Sequence, residues 1–304
     1  MKKEFYLLKV LTPLHIGAGQ GLGHVDLPIV REVYTNFPYL PGTSIKGVLR
    51  NLEINKVAMR RKEKPSQIED KLSKGKFNSE TDKDIASLAQ IFGTAGEAVE
   101  EGKEVGGASK VLFSDAFILL FPVKSAKGVF SLTTCPYVIN RFFELLGKEE
   151  RIKDVAEDKA KVLSIKDHKN LINGKLLLEE FVFEAEEAKE EKGLRKFIEF
   201  VGEFVGEENK KRIVCVGDTE FKDFVSNYTE VQTRIKINPD TGTVSETGLW
   251  TEEYIPSESV FFFSLIFLEN NINYEPPKTF HLGGDITTGK GFVKVHKLGV
   301  NHEK

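Results

Sequence analysis

The forty residues LTPLHIGAGQGLGHVDLPIVREVYTNFPYLPGTSIKGVLR, positions 11–50, restrict the fold of this chain more than any other stretch. Pro13 breaks the apolar run FYLLKVLTPLHIG, which reads as a first strand, and Pro41 stops the chain again just before a helix. Ile45, Val48 and Leu49 fall at helical spacing, so that helix is expected to begin near Thr43 or Ser44, whose hydroxyls can cap it. Between the two prolines, Gly17, Gly19, Gly21 and Gly23 lack Cβ atoms, which lets the backbone take positive φ and aim successive N–H groups at an oxyanion. The helix start adds free N–H groups and a positive dipole end, with Lys46 and Arg50 on one face. The segment reads as a site for a phosphate-bearing polymer; a capped amphipathic helix with exposed cations is the plainer alternative.

Composition limits the partners. At 304 residues, with 40% hydrophobic content and 23 Phe, the chain can bury a large core, and the Phe residues in continuous apolar runs are assigned to it. A net charge of −3 excludes binding of nucleic acid by global basicity. Residues 1–64, however, carry eleven Lys/Arg against five acids, which predicts a locally positive face that steers a polyanion. Cys135 and Cys215 stand far apart with no Cys-x-x-Cys, which excludes a zinc site and predicts buried thiols in a reducing cytoplasm. The N-terminal apolar stretch is too short and interrupted for a signal peptide or membrane span, so a soluble cytoplasmic protein is expected.

Along the chain, residues 51–92 are helical in pattern, and FGTAGEAVEEGKEVGGAS, with five glycines, reads as a mobile connection. KVLFSDAFILLFPV reads as one buried strand. Within 150–213, the run EEFVFEAEEAKEEKGLRKFIEFVGEFVGEENKKR is expected to form a helix with one apolar face and solvated glutamates. VQTRIKINP, TGTVSETGLWTEEYI and SVFFFSLIFLE return as strands, the first two joined by a turn at PDTG, 239–242. Strands flanking helices at both ends give the α+β class.

The tail LGGDITTGKGFVKV, 282–295, holds a second candidate phosphate loop, Gly283, Gly284, Thr288 and Lys290 among it. It lacks the spacing of a nucleotide-hydrolysing P-loop, and GAGQGLGH lacks the strand and helix of a dinucleotide fingerprint because Pro28 interrupts. Read with PGTSIKGVLR, GHVDLPIVRE and LWTEEYIP, this tail resembles the repeat-associated RNA-binding (RAMP) superfamily of CRISPR effectors, and within it the type III-B (Cmr) backbone subunit. The resemblance implies a single domain over 1–304 with a ferredoxin-like (RRM-like) palm, a glycine-rich loop at 282–291, and helical and β-hairpin insertions near 53–110 and 140–228. It implies a hairpin that displaces a nucleotide at a regular interval, placed elsewhere than the PDTG turn. It implies partners as well: crRNA, complementary target RNA, other Cmr subunits and several head-to-tail copies of the chain.

Asp26 is the first candidate for chemistry: it follows the glycine turn, and Leu27 and Pro28 fix the backbone so that the carboxylate projects. An aspartate closing a turn on a backbone N–H is the alternative. The resemblance places a cleavage-essential aspartate in this string and implies RNA phosphodiester cleavage by the ribose 2′-hydroxyl, leaving a cyclic phosphate and a 5′-hydroxyl. In-line placement, a proton acceptor and positive charge on the oxyanion are then required. A divalent ion, Mg or Mn, with Asp26 as one oxygen ligand, meets the last requirement. His15 is a second candidate base or an RNA contact, and His24 a residue that orients Asp26. Glu252 and Tyr254 are candidates to complete the site across a cleft, or lie on an exposed strand edge, with Glu253 on the opposite face. Gly17, Gly19, Ser44, Lys46, Arg50 and the tail loop are the expected RNA contacts. A non-catalytic scaffold and a binder of small phosphorylated ligands are the other classes the residues allow.

Overall fold

A computed structural model describes residues 1–21, 23–78, 80–94, 99–100, 103–104, 107–189 and 191–299. Eight of the eighteen residues of the glycine-rich connection expected at 92–109 lie outside the described residues. The chain opens with β1 (Lys2–Val10) and runs through the glycine turn to a short β2 (Tyr39–Leu40) and three helices, α1 (Gly42–Arg61), α2 (Pro65–Ser73) and α3 (Lys83–Phe92). A small ladder, β3 (Val99–Glu100) with β4 (Lys103–Glu104), precedes β5 (Val111–Phe113), β6 (Ala116–Ser125), β7 (Val129–Thr134) and α4 (Pro136–Leu145). Next come β8 (Lys159–Val162), β9 (Lys175–Leu178), β10 (Phe181–Glu187), α5 (Lys192–Val205), α6 (Glu207–Lys210), β11 (Ile213–Cys215) and α7 (Asp218–Asn227). The chain closes with β12 (Glu230–Ile237), β13 (Val244–Tyr254), β14 (Val260–Phe267), β15 (Thr279–His281) and β16 (Phe292–Lys297).

One 12-stranded sheet organises the molecule. Its first part has the order β15-β16-β1-β14-β6, antiparallel throughout, and is joined by apolar runs buried on both faces. Tyr6 lies opposite Phe263 with the rings stacked 5.2 Å apart, and Phe142 of α4 sets its edge against Phe262 at 5.0 Å. Such pairs each add about 0.5–1.5 kcal/mol beyond the area they bury. The second part continues β6-β7-β11-β8-β10-β9, and a bridge from Ser125 to Leu178 returns β9 to β6, closing a ring of six strands. Period-two burial of Ala160 and Val162, and of Leu176 and Leu178, fills it.

Two expectations change, and the PDTG turn stands as expected. KVLFSDAFILLFPV is two strands, because Ser114 and Asp115 leave the ladder to bond Ser264 and the start of α1. FVFEAEE is β10, not helix: its apolar residues also alternate, and helix begins only at Lys192. PDTG closes β12 to β13, a long hairpin outside the main sheet, with Val231 (53%), Ile235 (54%) and Leu249 (65%) exposed. The expected thiols Cys135 and Cys215 are both free and buried. Among the described residues no helix is long and apolar enough to cross a membrane.

Candidate active site

The glycine turn folds back on itself as a narrow excursion: Val30 N–H donates to Ile16 O, Ala18 N–H to Pro28 O and Gly21 N–H to Asp26 O, each at 2.9 Å. Gly19 takes φ +95°, and a Cβ on Gly21 would lie 2.8 Å from Val25 O, so the glycines are set by the reversal itself. The returning limb lies along the base of β13. Leu27 N–H donates to Thr251 O and Glu253 N–H to Leu27 O, both at 3.0 Å.

This pairing presents Asp26. Thr251 N–H and Thr251 Oγ1–H both donate to Asp26 Oδ2 at 2.8 Å, and Asp26 N–H donates to Thr251 Oγ1 at 3.0 Å. The Thr251 N–H, followed by its hydroxyl, holds the carboxyl below the usual carboxylate range, although Asp26 is exposed. Asp26 therefore stands ionised at the surface with its orientation fixed. Both sequence readings meet here, since the projecting carboxylate does bond a backbone N–H, but on β13 rather than in its own turn. Beside it a groove of about 470 Å³ is lined by Gly23, His24, Arg31, Asn227 and Thr229 among others.

Alternation along β13 splits the remaining candidates. Glu252 is buried and accepts from Trp250 Nε1 at 2.7 Å and Arg234 Nε at 3.1 Å, with the Tyr254 hydroxyl also bonded to it. Burial opposes its charge, and the Trp250, Tyr254 and Arg234 bonds together outweigh burial, pulling its carboxyl down to about 2. Tyr254 OH also lies 2.8 Å from Asp285 Oδ2, sharing its one proton between the two carboxylates, and burial with the neighbouring Glu252 raises its hydroxyl well above the usual range. Neither group titrates near neutrality as a general base should. Their hydrogen bonds run to Arg234 and Asp285, not to Asp26, so the structure does not join them to it across a cleft. Nor is this an exposed edge, because both side chains are buried.

Glu253 faces the other way, also buried, and ties three segments together: Arg31 at 2.5 Å, Thr229 at 2.7 Å and Ile29 N–H at 3.0 Å. His15 Nδ1 meets Glu253 O at 2.7 Å, so Nδ1 donates and Nε2 is the basic nitrogen. That Nε2 lies 2.8 Å from where a Gly17 Cβ would stand, so only glycine fits there. Among the described residues no hydrogen bond links His15 or His24 to Asp26.

The expected RNA contacts are altered most. Helix α1 starts at Gly42, one residue early, without a side-chain cap from Thr43 or Ser44; Asp115 Oδ1 accepts the Gly42 N–H at 2.7 Å and brings a protein carboxylate to the end expected to receive phosphate. Arg50 pairs with Glu69 at 2.6 Å, and Lys46 lies 6.0 Å from the Phe113 ring centre with its pKa lowered by burial and then by Arg50. In the tail loop the N–H groups of Gly284, Thr288 and Gly291 bond His15 O, Asp285 O and Pro13 O. Gly283 and Gly291 admit close backbone: a Cβ would stand 2.2 Å from His15 O and 2.0 Å from Leu282 O. Lys290 Nζ sits 4.9 Å from the Tyr254 ring centre. The tail loop thus turns these amides inward, and it braces His15 and Tyr254.

The segment charge also changes meaning. Lys9 pairs with Glu258, Arg31 with Glu253, Arg50 with Glu69, and Arg61 with Asp82 and Asp84, all carboxylates beyond residue 64. Acids of the segment are drawn in the same way to cations beyond it, Glu4 to Lys297, Glu32 to Arg141 and Glu63 to Lys71, so these pairings offset only part of the excess. Among the described residues no cluster of three or more His, Cys, Asp or Glu is arranged to hold a metal.

The chain belongs to the RAMP superfamily, whose family model matches residues 7–294. It is a homologue of the Pyrococcus furiosus CRISPR system Cmr endoribonuclease Cmr4, with 34% identity over 97% of this chain and 95% of that protein. The Saccharolobus solfataricus CRISPR system CMR subunit Cmr4 is 23% identical over 96% of each. The crystal structure of oligomeric Cmr4 from Pyrococcus furiosus superposes with a TM-score of 0.63 at 28% identity, covering 98% of both chains. A chain of the type III-B Cmr-beta complex bound to cognate target RNA shares the fold, with a TM-score of 0.65 at 18% identity over 98% of this chain and 97% of that one.

Proposed function

We propose that this chain is an RNA-guided endoribonuclease subunit of a cytoplasmic type III-B Cmr effector. Copies bind crRNA head to tail beside other Cmr subunits and cleave complementary target RNA at regular intervals. The exposed Asp26, ionised and oriented by Thr251, carries the reading. It supports the reading because the nearly full-length relative is named an endoribonuclease.

In this mechanism the target ribose 2′-oxygen, its proton passing to a base, attacks the adjacent phosphorus, the P–O5′ bond breaks, the 5′-oxygen takes a proton to leave as a 5′-hydroxyl, and a 2′,3′-cyclic phosphate remains. Asp26 accepts a hydrogen bond from the 2′-hydroxyl and holds it in line. Its lowered pKa suits it to orientation more than to permanent proton uptake, and Nε2 of His15, whose Nδ1 is taken by Glu253 O, is the other basic atom offered near β13. Asp26 would hold a divalent ion, Mg or Mn, through one carboxylate oxygen, and such an ion would supply positive charge for the oxyanion. Glu252 and Tyr254 act through Arg234 and Asp285 in shaping the opposite wall. The part β16-β1-β14-β6 serves as the ferredoxin-like palm of one domain over 1–304, with 53–110 and 140–228 as insertions. Its second crossover, 268–291, carries only the turn Ile286–Thr288 in place of a helix. In place of the expectation that it lies elsewhere than the PDTG turn, the β12–β13 hairpin is read as the element that displaces nucleotides, because it stands outside the main sheet with Val231, Ile235 and Leu249 exposed.

The test is cleavage of end-labelled target RNA by complex reconstituted with the parent chain or with Asp26→Ala, assembly being followed in parallel. Loss of cutting by an assembled, target-bound complex is expected. Unchanged cutting makes the chain a non-catalytic crRNA scaffold.

A further inference from the structure

Asp26 lies on a loop whose tip is exposed, yet its carboxylate is held as firmly as a group inside a strand. Three hydrogen bonds join it to one residue, and two of them use the Thr251 hydroxyl, once as donor to Oδ2 and once as acceptor from the Asp26 N–H. The hydroxyl thus fixes both ends of the aspartate, backbone and carboxylate. The third bond, from Thr251 N–H, survives any substitution at that position except proline. Thr251 sits on the β13 face shared with Glu253, whose carboxylate bonds Ile29 N–H three residues beyond Asp26, so the loop is pinned at two successive inward positions of one strand.

We propose that Thr251 is the positioning residue for Asp26: its side chain sets the direction in which the second carboxylate oxygen faces the target strand. The proposal rests on the cleavage role given to Asp26 above. Valine matches threonine in shape and strand preference but has no hydroxyl, so Thr251→Val leaves the carboxylate on the single backbone N–H bond, about which it can pivot, with the β13 ladder intact. Serine restores the hydroxyl alone.

The experiment uses the reconstituted complex, and measures target RNA affinity and the single-turnover cleavage rate at saturating complex. For Thr251→Val the rate should fall roughly 10- to 100-fold while affinity stays within about twofold, the pattern of an interaction needed only in the reacting geometry. Thr251→Ser should cut within a few-fold of the parent. A parent-like rate for Thr251→Val, or a serine variant as slow as the valine one, overturns the inference. Should the valine variant not assemble, Thr251→Ala is scored by the same two quantities. Asp26→Ala is run alongside: if it cuts normally the functional reading itself fails, whereas an inactive Asp26→Ala with a fully active Thr251→Val refutes the positioning role alone.

Discussion

Removal of the Glu253 carboxylate tests how the site is held together. The Arg31 and Glu253 side chains are only 15% and 8% exposed, and Arg31 also donates to Val225 O at 2.7 Å and Asn36 O at 3.0 Å, so its guanidinium cannot swing out to water without breaking those bonds. Glu253→Ala therefore leaves a buried cation without its counter-charge and strips acceptors from Thr229 and Ile29 N–H. Breaking a buried pair from one side costs about 3–5 kcal/mol. For a chain of this size that amounts to a fall of roughly 5 °C or more in melting temperature. Urea and thermal unfolding of the isolated chain give both numbers. The companion variant Arg31→Met with Glu253→Met removes both charges and should regain part of the loss, with a coupling of about 1–3 kcal/mol. A loss below about 1 kcal/mol for Glu253→Ala would refute the argument, since only solvent-screened pairs are that weak.

Two further outcomes follow from the same geometry. Gly291→Ala places a methyl 2.0 Å from Leu282 O at φ +71°, and should lower stability by more than the roughly 1 kcal/mol cost of a left-handed residue alone, as read by chemical denaturation. The Glu252 carboxyl titrates lower folded, at about 2, than its ordinary 4.5, so its contribution is complete above pH 4.5 and disappears as pH falls toward 2. Glu252→Gln should flatten that acid limb of a stability-versus-pH curve, and an unchanged limb would remove Glu252 as its source.

The parts of the fold legible in the sequence are those governed by local pattern. The runs around Phe261 and Leu120 announce buried strands, and Asp26 stands out because a glycine turn and Pro28 bracket it. What was hidden depends on partners far along the chain. Thr251 is 225 residues from Asp26, and its only sequence sign is that it shares a strand face with Glu253 in WTEEY. Arg50 and Lys9 look free over 1–64 because Glu69 and Glu258 lie beyond it. Gly283 and Gly291 resemble a phosphate cradle, yet the same missing Cβ serves close approach to His15 and Leu282. Phe181, Phe183 and Ala185 satisfy period two inside a segment that also carries a helical pattern, and only pairing with β8 and β9 decides between them.

The base of β13 is stitched on both flanks. Beyond its partner β12, it exchanges backbone bonds with Leu27 at 3.0 Å and with Leu14 at 2.9 and 2.8 Å. Mechanically this makes the hairpin a lever whose fulcrum is the Asp26 loop. A load applied near Ile235 or Leu249 is delivered as torque at Thr251, so anything that seats on the hairpin also sets the aim of the carboxylate.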